Sequence, residues 1–145
     1  MNDAIRLQRW IAGDQFLLYV QPIVYLDNTK KVSHFELLLR GQTDKGKIIS
    51  PGKLIEAAEE FNLTPTLDRW VIRNLFTWIS NNNSAMSSNY KFSFNLSALS
   101  LNDVDLSRYI TDLAKKEKIN PRKINIEVTE RVAISNMKRC YEFMN

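Results

Sequence analysis

The chain has little of several residue types, and each shortage excludes a class of protein. Its single cysteine, Cys140, cannot form an internal disulfide, which is consistent with a reducing cytoplasmic location. Only 4 glycines and 4 prolines exclude collagen-like and linker-like chains, and 10% aromatic residues exclude a disordered one. The longest apolar runs, such as Phe16–Val20, fall far short of the roughly 18 residues that span a bilayer. Met1–Trp10 is charged and lacks the apolar centre of a secretory signal.

The excess of positively charged over negatively charged residues is also small. The 20 Lys and Arg against 16 Asp and Glu give a net charge of +4, and the two signs are interspersed. Nucleic-acid binding is therefore not predicted. The length of 145 residues suits one domain that buries its own core without disulfides or metal.

Strand and helix patterns alternate along the chain. The first two strands, Phe16–Ile23 and Val32–Arg40, are close together and are predicted to pair antiparallel through a polar turn at 27–30. Two later strands, Lys91–Ser97 and Ile124–Thr129, each follow helical segments. Strands separated by helices predict an α/β protein with a mainly parallel sheet.

Two helices have clear start signals. Ser50–Pro51 predicts an N-cap followed by proline in the first turn, and Thr64–Pro65 repeats the signal. Trp70 and Trp78 lie on the apolar stripe of the second helix and are predicted to be core residues. The last helix is predicted from the spacing of Ile134, Met137, Cys140 and Tyr141.

Three strands carry polar residues where a strand buried on both faces would be apolar throughout. On the second, third and fourth strands, one face is apolar and the other includes Glu36, Asn95 and Glu127, respectively. If those faces line a barrel, the three side chains converge in its interior. Buried carboxylates need a cation or basic partners, and these oxygen donors prefer Mg²⁺ or Mn²⁺ to zinc.

Two other interpretations of the same pattern stay open. The strands are alternatively exposed antiparallel edges whose polar faces meet water, since alternation is typical of a half-exposed sheet. Arg40, on the same strand face as Glu36, is alternatively its neutralising partner in place of a metal.

Further motifs resemble the EAL domain family of bacterial cyclic di-GMP phosphodiesterases and their inactive relatives. Glu36-Leu37-Leu38 stands where the family has Glu-Ala-Leu, after an opening strand at Phe16–Ile23. The other matching segments follow in the family's order: Phe35–Arg40, Ile49–Pro51, Ala57–Glu59, Leu67–Val71, Asn95–Ala98 and Ile126–Glu130.

The resemblance implies a (β/α)₈ TIM-type barrel whose first strand is antiparallel to the others. It implies that Glu36, Asn95 and Glu127 bind catalytic Mg²⁺ or Mn²⁺, that Gln21 contacts the dinucleotide and that Arg40 contacts its phosphate. In the family's reaction, two metal ions activate water to open cyclic di-GMP to linear pGpG.

Several departures from the family pattern limit this implication. A barrel of this class takes about 250 residues, so residues 1–145 are expected to be an incomplete EAL domain, its N-terminal part. The family's Asp-Asp pair, catalytic Lys, further metal-binding Glu and distal Gln have no counterpart here, so no catalytic set is complete in this chain. His34 replaces a small residue and either crowds the site or is structural, and Gly41 replaces a common Trp.

Two functions follow from this comparison. The chain is either part of a phosphodiesterase domain, inactive alone, or a non-catalytic EAL module that acts through protein contacts or cyclic di-GMP sensing. An incomplete barrel has unpaired edges, so self-association is predicted, and an adjacent GGDEF or sensor domain is expected in the parent protein. Asp68 and Arg69 are predicted to pin loops or lie on a helix surface instead of acting in catalysis.

Overall fold

A five-stranded mixed sheet with helices packed on one face forms the framework of the computed structural model. The structure describes residues 3–13, 15–26, 32–82, 84–85, 88–135 and 137–144. The strands are β1 (Phe16–Ile23), β2 (His34–Gln42), β3 (Ile48–Ile49), β4 (Lys91–Asn95) and β5 (Ile124–Glu127). The predicted turn at 27–30 lies outside the described residues.

Seven helices are described alongside the sheet, and a 3₁₀ turn at Pro121–Lys123 precedes β5. They are α1 (Asp3–Ala12), α2 (Gly52–Glu60), α3 (Thr64–Ser80), α4 (Ala98–Leu101), α5 (Leu106–Lys116), α6 (Glu130–Ser135) and α7 (Met137–Met144). Within the described ranges, none of the helices is long and apolar enough to cross a bilayer.

The strand directions agree with the prediction of an antiparallel first pair followed by a parallel sheet. The strand order is β1-β2-β4-β5; β1 runs antiparallel to β2, while β2, β4 and β5 are parallel. The interpretation of these strands as exposed antiparallel edges is therefore wrong for β2 and β4, which lie inside the sheet and pair in parallel. The two-residue strand β3, which extends the sheet beside the end of β2, was not predicted.

The period-two alternation of the strands separates a helix-covered face from a polar face. Phe92 and Phe94 of β4 are 2% and 1% exposed and pack in the main core with Leu37, Ile72 and neighbouring residues. The helices α3 and α5 supply the other side of this core. The polar residues of the strands therefore face the opposite side, as the alternation predicted.

A second core cluster covers the beginning of β1. Trp10 and Trp70 each meet Phe16 edge to face, with ring centroids 5.7 Å apart in both contacts. The glycine at position 41 makes room for this cluster, because a Cβ there would lie 2.5 Å from Cζ3 of Trp10. Gly41, which stands where the family commonly has tryptophan, is thus packed against Trp10 of α1.

Four details of the helices differ from the sequence prediction. The N-cap of α3 is Leu63, and Thr64, which was predicted as the cap, is the first residue of the helix. Helix α2 begins after Pro51, which occupies the N-cap position without a side-chain hydrogen bond, so Ser50 is not the cap. Trp70 is buried as predicted, but Trp78 is 50% exposed, because among the described elements its ring meets Phe92 of β4 only edge to face and its remaining surface stays uncovered. The apolar stripe of the last helix is also largely exposed, with Met137 at 70% and Tyr141 at 67%.

Candidate functional site

The polar face of the sheet brings two of the predicted site residues into contact. Asn95, the last residue of β4, donates a hydrogen bond from Nδ2 to Oε1 of Glu36 on β2, at 3.0 Å. Glu127, the last residue of β5, is the register partner of Asn95. Because β4 and β5 are parallel and in register, the two side chains project on the same face of the sheet.

The two predicted substrate-binding residues lie on the same face of the sheet but at different positions along the strands. Gln21 of β1 is the register partner of Glu36 and is exposed. Arg40 is further along β2, where Nη1 donates to the Leu39 carbonyl oxygen at 2.7 Å and the guanidinium lies 5.8 Å from the Tyr19 ring centroid. Tyr19 is a neighbour that the sequence analysis did not identify.

Arg40 does not neutralise Glu36, although that pairing was one interpretation of the sequence. Among the described residues, no ion pair or hydrogen bond joins the two side chains. Four residues along an extended strand correspond to about 13 Å, which is too far for direct contact. The Glu36 carboxylate instead has the Asn95 amide as its neighbour.

A second polar layer lies two residues earlier on each strand. His34 Nε2 is 2.5 Å from Ser93 Oγ, and Asn125 Nδ2 is 3.3 Å from His34 Nε2 and 3.4 Å from Ser93 Oγ. Ser93 is fully buried, at 0% exposure. His34 is therefore hydrogen-bonded in its own layer and does not crowd Glu36, in agreement with its structural interpretation.

Asp68 fixes the segment that follows Asn95. Its Oδ2 accepts hydrogen bonds from Ser97 N at 2.9 Å and from Ser100 Oγ at 2.6 Å, at the start of α4. Burial raises the pKa of Asp68 above its usual value, and the hydrogen bonds from Ser100 and Ser97 oppose that rise. The prediction that Asp68 pins a loop is confirmed.

Arg69 fixes the next segment in the same way. Its Nη2 lies 2.6 Å from Asp103 Oδ2, and its guanidinium lies 4.5 Å from the Tyr109 ring centroid. The hydrogen bond from Arg69 lowers the pKa of Asp103 below its usual value. Arg69 is thus a structural residue, as predicted, and joins α3 to the region before α5.

The donor set on the polar face of the sheet fits a hard divalent cation in its chemistry. Glu36 and Glu127 supply carboxylate oxygens. Rotation of the Asn95 side-chain amide by half a turn points its oxygen, instead of its nitrogen, toward Glu36 and a cation bound there. In the described part of the chain, no group of three or more His, Cys, Asp or Glu residues is placed to hold a metal ion. Two carboxylates and one amide are thus the donor groups that the described residues bring to this face.

Comparisons with known proteins agree with this geometry. The sequence pattern of the EAL domain matches residues 4–145. Cyclic di-GMP phosphodiesterase PdeB of Shewanella oneidensis is 37% identical over 141 residues, which are 97% of this chain and 16% of that protein. Cyclic di-GMP phosphodiesterase PdeF of Escherichia coli is 31% identical over 135 residues, covering 93% of this chain and 18% of that protein.

Solved structures show the same fold. The FimX EAL domain from Pseudomonas aeruginosa bound to c-di-GMP superposes with a TM-score of 0.85 at 25% identity, covering 98% of this chain and 56% of that one. The Xanthomonas citri FimX EAL domain in complex with c-diGMP gives 0.86 at 20% identity, covering 98% and 54%. The chain thus spans about half the length of these solved domains, and its sheet has the same fold as the matching part of their TIM-type barrels. With the Glu36-Leu37-Leu38 motif at its site, the chain belongs to the EAL domain family.

Proposed function

We propose that residues 1–145 supply the first part of a cyclic di-GMP phosphodiesterase site of the two-metal type. The observation that carries the proposal is the contact between Glu36 and Asn95, with Glu127 in register beside them. Relatives named cyclic di-GMP phosphodiesterases and EAL domains solved with this dinucleotide support the choice of substrate. The parent activity would be opening of cyclic di-GMP to pGpG.

Each side chain has a separate task in this proposal. Glu36, Asn95 and Glu127 hold Mg²⁺ or Mn²⁺, which, when bound, lowers the pKa of a water molecule and stabilises charge on the phosphate oxygens. Gln21 is exposed opposite Glu36, where its amide is free to hydrogen-bond a base or ribose. Arg40 presents a guanidinium group to the anionic phosphates, a pairing that favours two parallel hydrogen bonds.

Residues 1–145 are further proposed to be inactive as a separate polypeptide. The described residues bring two carboxylates and one amide to the site, which is too few to hold two metal ions. Chromatography of cyclic di-GMP incubated with the purified chain should show no pGpG beyond that produced by Glu36→Gln prepared in parallel. Turnover above that background would contradict the proposal.

A calorimetric titration tests the site itself. Cyclic di-GMP is titrated into residues 1–145 with and without Mn²⁺. Glu36→Gln is the site variant, and Glu56→Gln, at an exposed position of α2, is the control. We expect Mn²⁺-dependent binding, weakened about tenfold or more by Glu36→Gln and unchanged by Glu56→Gln. Equal loss in both variants, or no binding in any, would contradict the assignment.

The same titration, with Arg40→Ala added, separates the second candidate function, a non-catalytic module that binds the dinucleotide or a protein. The small number of metal-binding groups among the described residues favours this candidate. It predicts cyclic di-GMP binding that does not require Mn²⁺ and that depends on Arg40 but not on Glu36. Binding with that pattern would replace the phosphodiesterase assignment.

A further inference from the structure

We propose that an inner polar layer of the sheet, formed by His34, Ser93 and Asn125, holds Glu36 and Asn95 in the arrangement that binds a cation. His34 is a positioning residue in this arrangement, because its ring nitrogen faces the inner layer and acts on the cation only through the residues above it. For the identity of the ion as Mg²⁺ or Mn²⁺, the inference rests on the proposed function.

The inner polar layer joins three strands, two of which share no backbone hydrogen bonds. His34 lies on β2, Ser93 on β4 and Asn125 on β5, and the strand order places β4 between the other two. His34 Nε2 is 2.5 Å from Ser93 Oγ and 3.3 Å from Asn125 Nδ2, so its ring spans β4 and reaches β5. Asn125 Nδ2 also donates to Ser93 Oγ at 3.4 Å. The layer therefore fixes β2 relative to β5 as well as relative to β4.

Burial makes these contacts costly to break. Ser93 is fully buried, and His34 and Asn125 are half-buried. A buried hydroxyl that loses its hydrogen bond has no water to replace it, which costs free energy. The strand positions of the folded chain are therefore those in which all three polar side chains keep their partners.

The contacts between β2 and β4 follow the same diagonal in both polar layers. In the backbone register, His34 lies opposite Lys91 but contacts Ser93, two positions further along β4. Glu36 lies opposite Ser93 but contacts Asn95, again two positions further, at 3.0 Å. A shift of β2 along β4 therefore breaks both contacts together.

The proposed cation-binding residues follow the inner polar layer by two positions on each of the same three strands. Glu36, Asn95 and Glu127 are thus roughly 7 Å further along β2, β4 and β5, on the same face. Asn95 is exposed, so little surrounding structure holds its side chain in place. Side chains that orient a metal-binding group from behind commonly change metal affinity about 10–100-fold when they are replaced. The position of Asn95 therefore depends on the layer beneath it.

Four substitutions test the role of the layer, at a temperature where circular dichroism shows the chain folded. His34→Leu removes the hydrogen-bonding nitrogens and keeps a side chain of similar size, whereas His34→Gln restores a hydrogen-bonding amide. Asn125→Ala removes the longer contacts and keeps the test decisive if His34→Leu does not fold. Ile72→Val is the control, since it removes one methyl group from the buried core on α3 and leaves the polar face unchanged.

The first measurement needs no metal. In nitrogen–proton NMR spectra, the Asn95 side-chain amide is identified by its loss in Asn95→Asp, and its proton shifts report the hydrogen bond to Glu36. We expect His34→Leu and Asn125→Ala to move these shifts toward those of a free amide, and His34→Gln and Ile72→Val to leave them in place. Unchanged shifts in the folded layer variants, or an equal change in Ile72→Val, would overturn the proposal.

Calorimetric titration of Mn²⁺ into the same variants extends the test to the ion. We expect the dissociation constant to rise about tenfold or more in His34→Leu and to stay within about threefold in His34→Gln and Ile72→Val. Equal affinity of the unsubstituted chain and His34→Leu would overturn the inference. Absence of Mn²⁺ binding by the unsubstituted chain would contradict the proposed function alone, and the Asn95 shifts would still decide the inference.

Discussion

Glycine at position 41 shows how one residue without a side chain depends on a distant part of the sequence. A Cβ at this position meets Trp10 of α1 at 2.5 Å, and Ile49 and Leu54 at 3.1 and 3.2 Å. All three neighbours belong to one packed cluster with Phe16 and Trp70. The sequence revealed the departure from the family's tryptophan, but only the fold reveals the residue that takes up the space.

Substitution of this glycine should destabilise the chain by overpacking. We expect Gly41→Ala to lower the free energy of unfolding by about 1–3 kcal/mol, because the rings and methyl groups around it must shift. Gly52→Ala is the control, since a Cβ there meets nothing within 4 Å, and its effect should be within about 0.5 kcal/mol. Urea unfolding of both variants measures the difference, and equal effects would contradict the packing argument.

Asp68 should make stability depend on pH in the direction opposite to most carboxylates. Its pKa in the folded chain is raised by burial, so the folded state holds the proton more tightly than the unfolded state does. The stability that this group contributes is therefore present below its unfolded pKa of about 3.9 and is lost as the pH rises through the folded pKa. Asp103, with its lowered pKa, acts with the opposite sign.

The variant Asp68→Asn isolates this effect, because its amide oxygen still accepts hydrogen bonds but does not titrate. We expect the free-energy cost of Asp68→Asn to be largest near pH ~4 and to shrink toward pH ~7. Urea unfolding at both pH values measures it, with Asp112→Asn on the exposed side of α5 as the control. A cost that grows with pH would show that the carboxylate is stabilised in its ionised form.

At the scale of elements, the strands carry two polar layers that align β2, β4 and β5. The outer layer is the Glu36–Asn95 contact, and the inner layer joins His34, Ser93 and Asn125. The inner layer is closed to water at Ser93, whereas Asn95 in the outer layer is exposed. The two layers therefore have different physical roles: the inner one fixes strand positions, and the outer one is accessible to a ligand.

A double-mutant cycle should detect the coupling within the inner layer. We expect His34→Ala and Ser93→Ala each to lower the free energy of unfolding by about 1–2 kcal/mol, and the double variant to cost about 1 kcal/mol less than their sum. The control cycle pairs His34→Ala with Ser107→Ala on the exposed face of α5, where the effects should add. Additivity in both cycles would mean that the His34–Ser93 contact contributes nothing.

The strands and their faces could be predicted from the sequence because period-two alternation is a local property. It located β1 to the residue and placed Glu36, Asn95 and Glu127 on one side of the sheet. The short elements β3 and α4 have no such local signature, since contacts with β2 and with Asp68 hold them. The exposure of Trp78 was missed because a helical stripe does not reveal whether another element covers it.

At the scale of the whole molecule, the described chain is an open sheet with its polar face accessible. Solved EAL domains of similar fold are nearly twice as long, since this chain covers 54% and 56% of two of them. The exposure of Gln21 and Asn95 reflects that openness. A ligand therefore has access to this face in the described chain.

The three tryptophans provide an intrinsic fluorescent probe of an apolar groove between β1, β2 and α3, which Val20, Trp78 and Tyr90 help to line. Trp10 and Trp70 are 8% and 4% exposed, whereas Trp78 is 50% exposed in this groove. Emission at long wavelength that iodide quenches should therefore come mainly from Trp78, while the other two indoles emit at shorter wavelength and resist the quencher. Anything that fills the groove should shift that emission to the blue and shield it, so groove occupancy can be followed without attaching a dye.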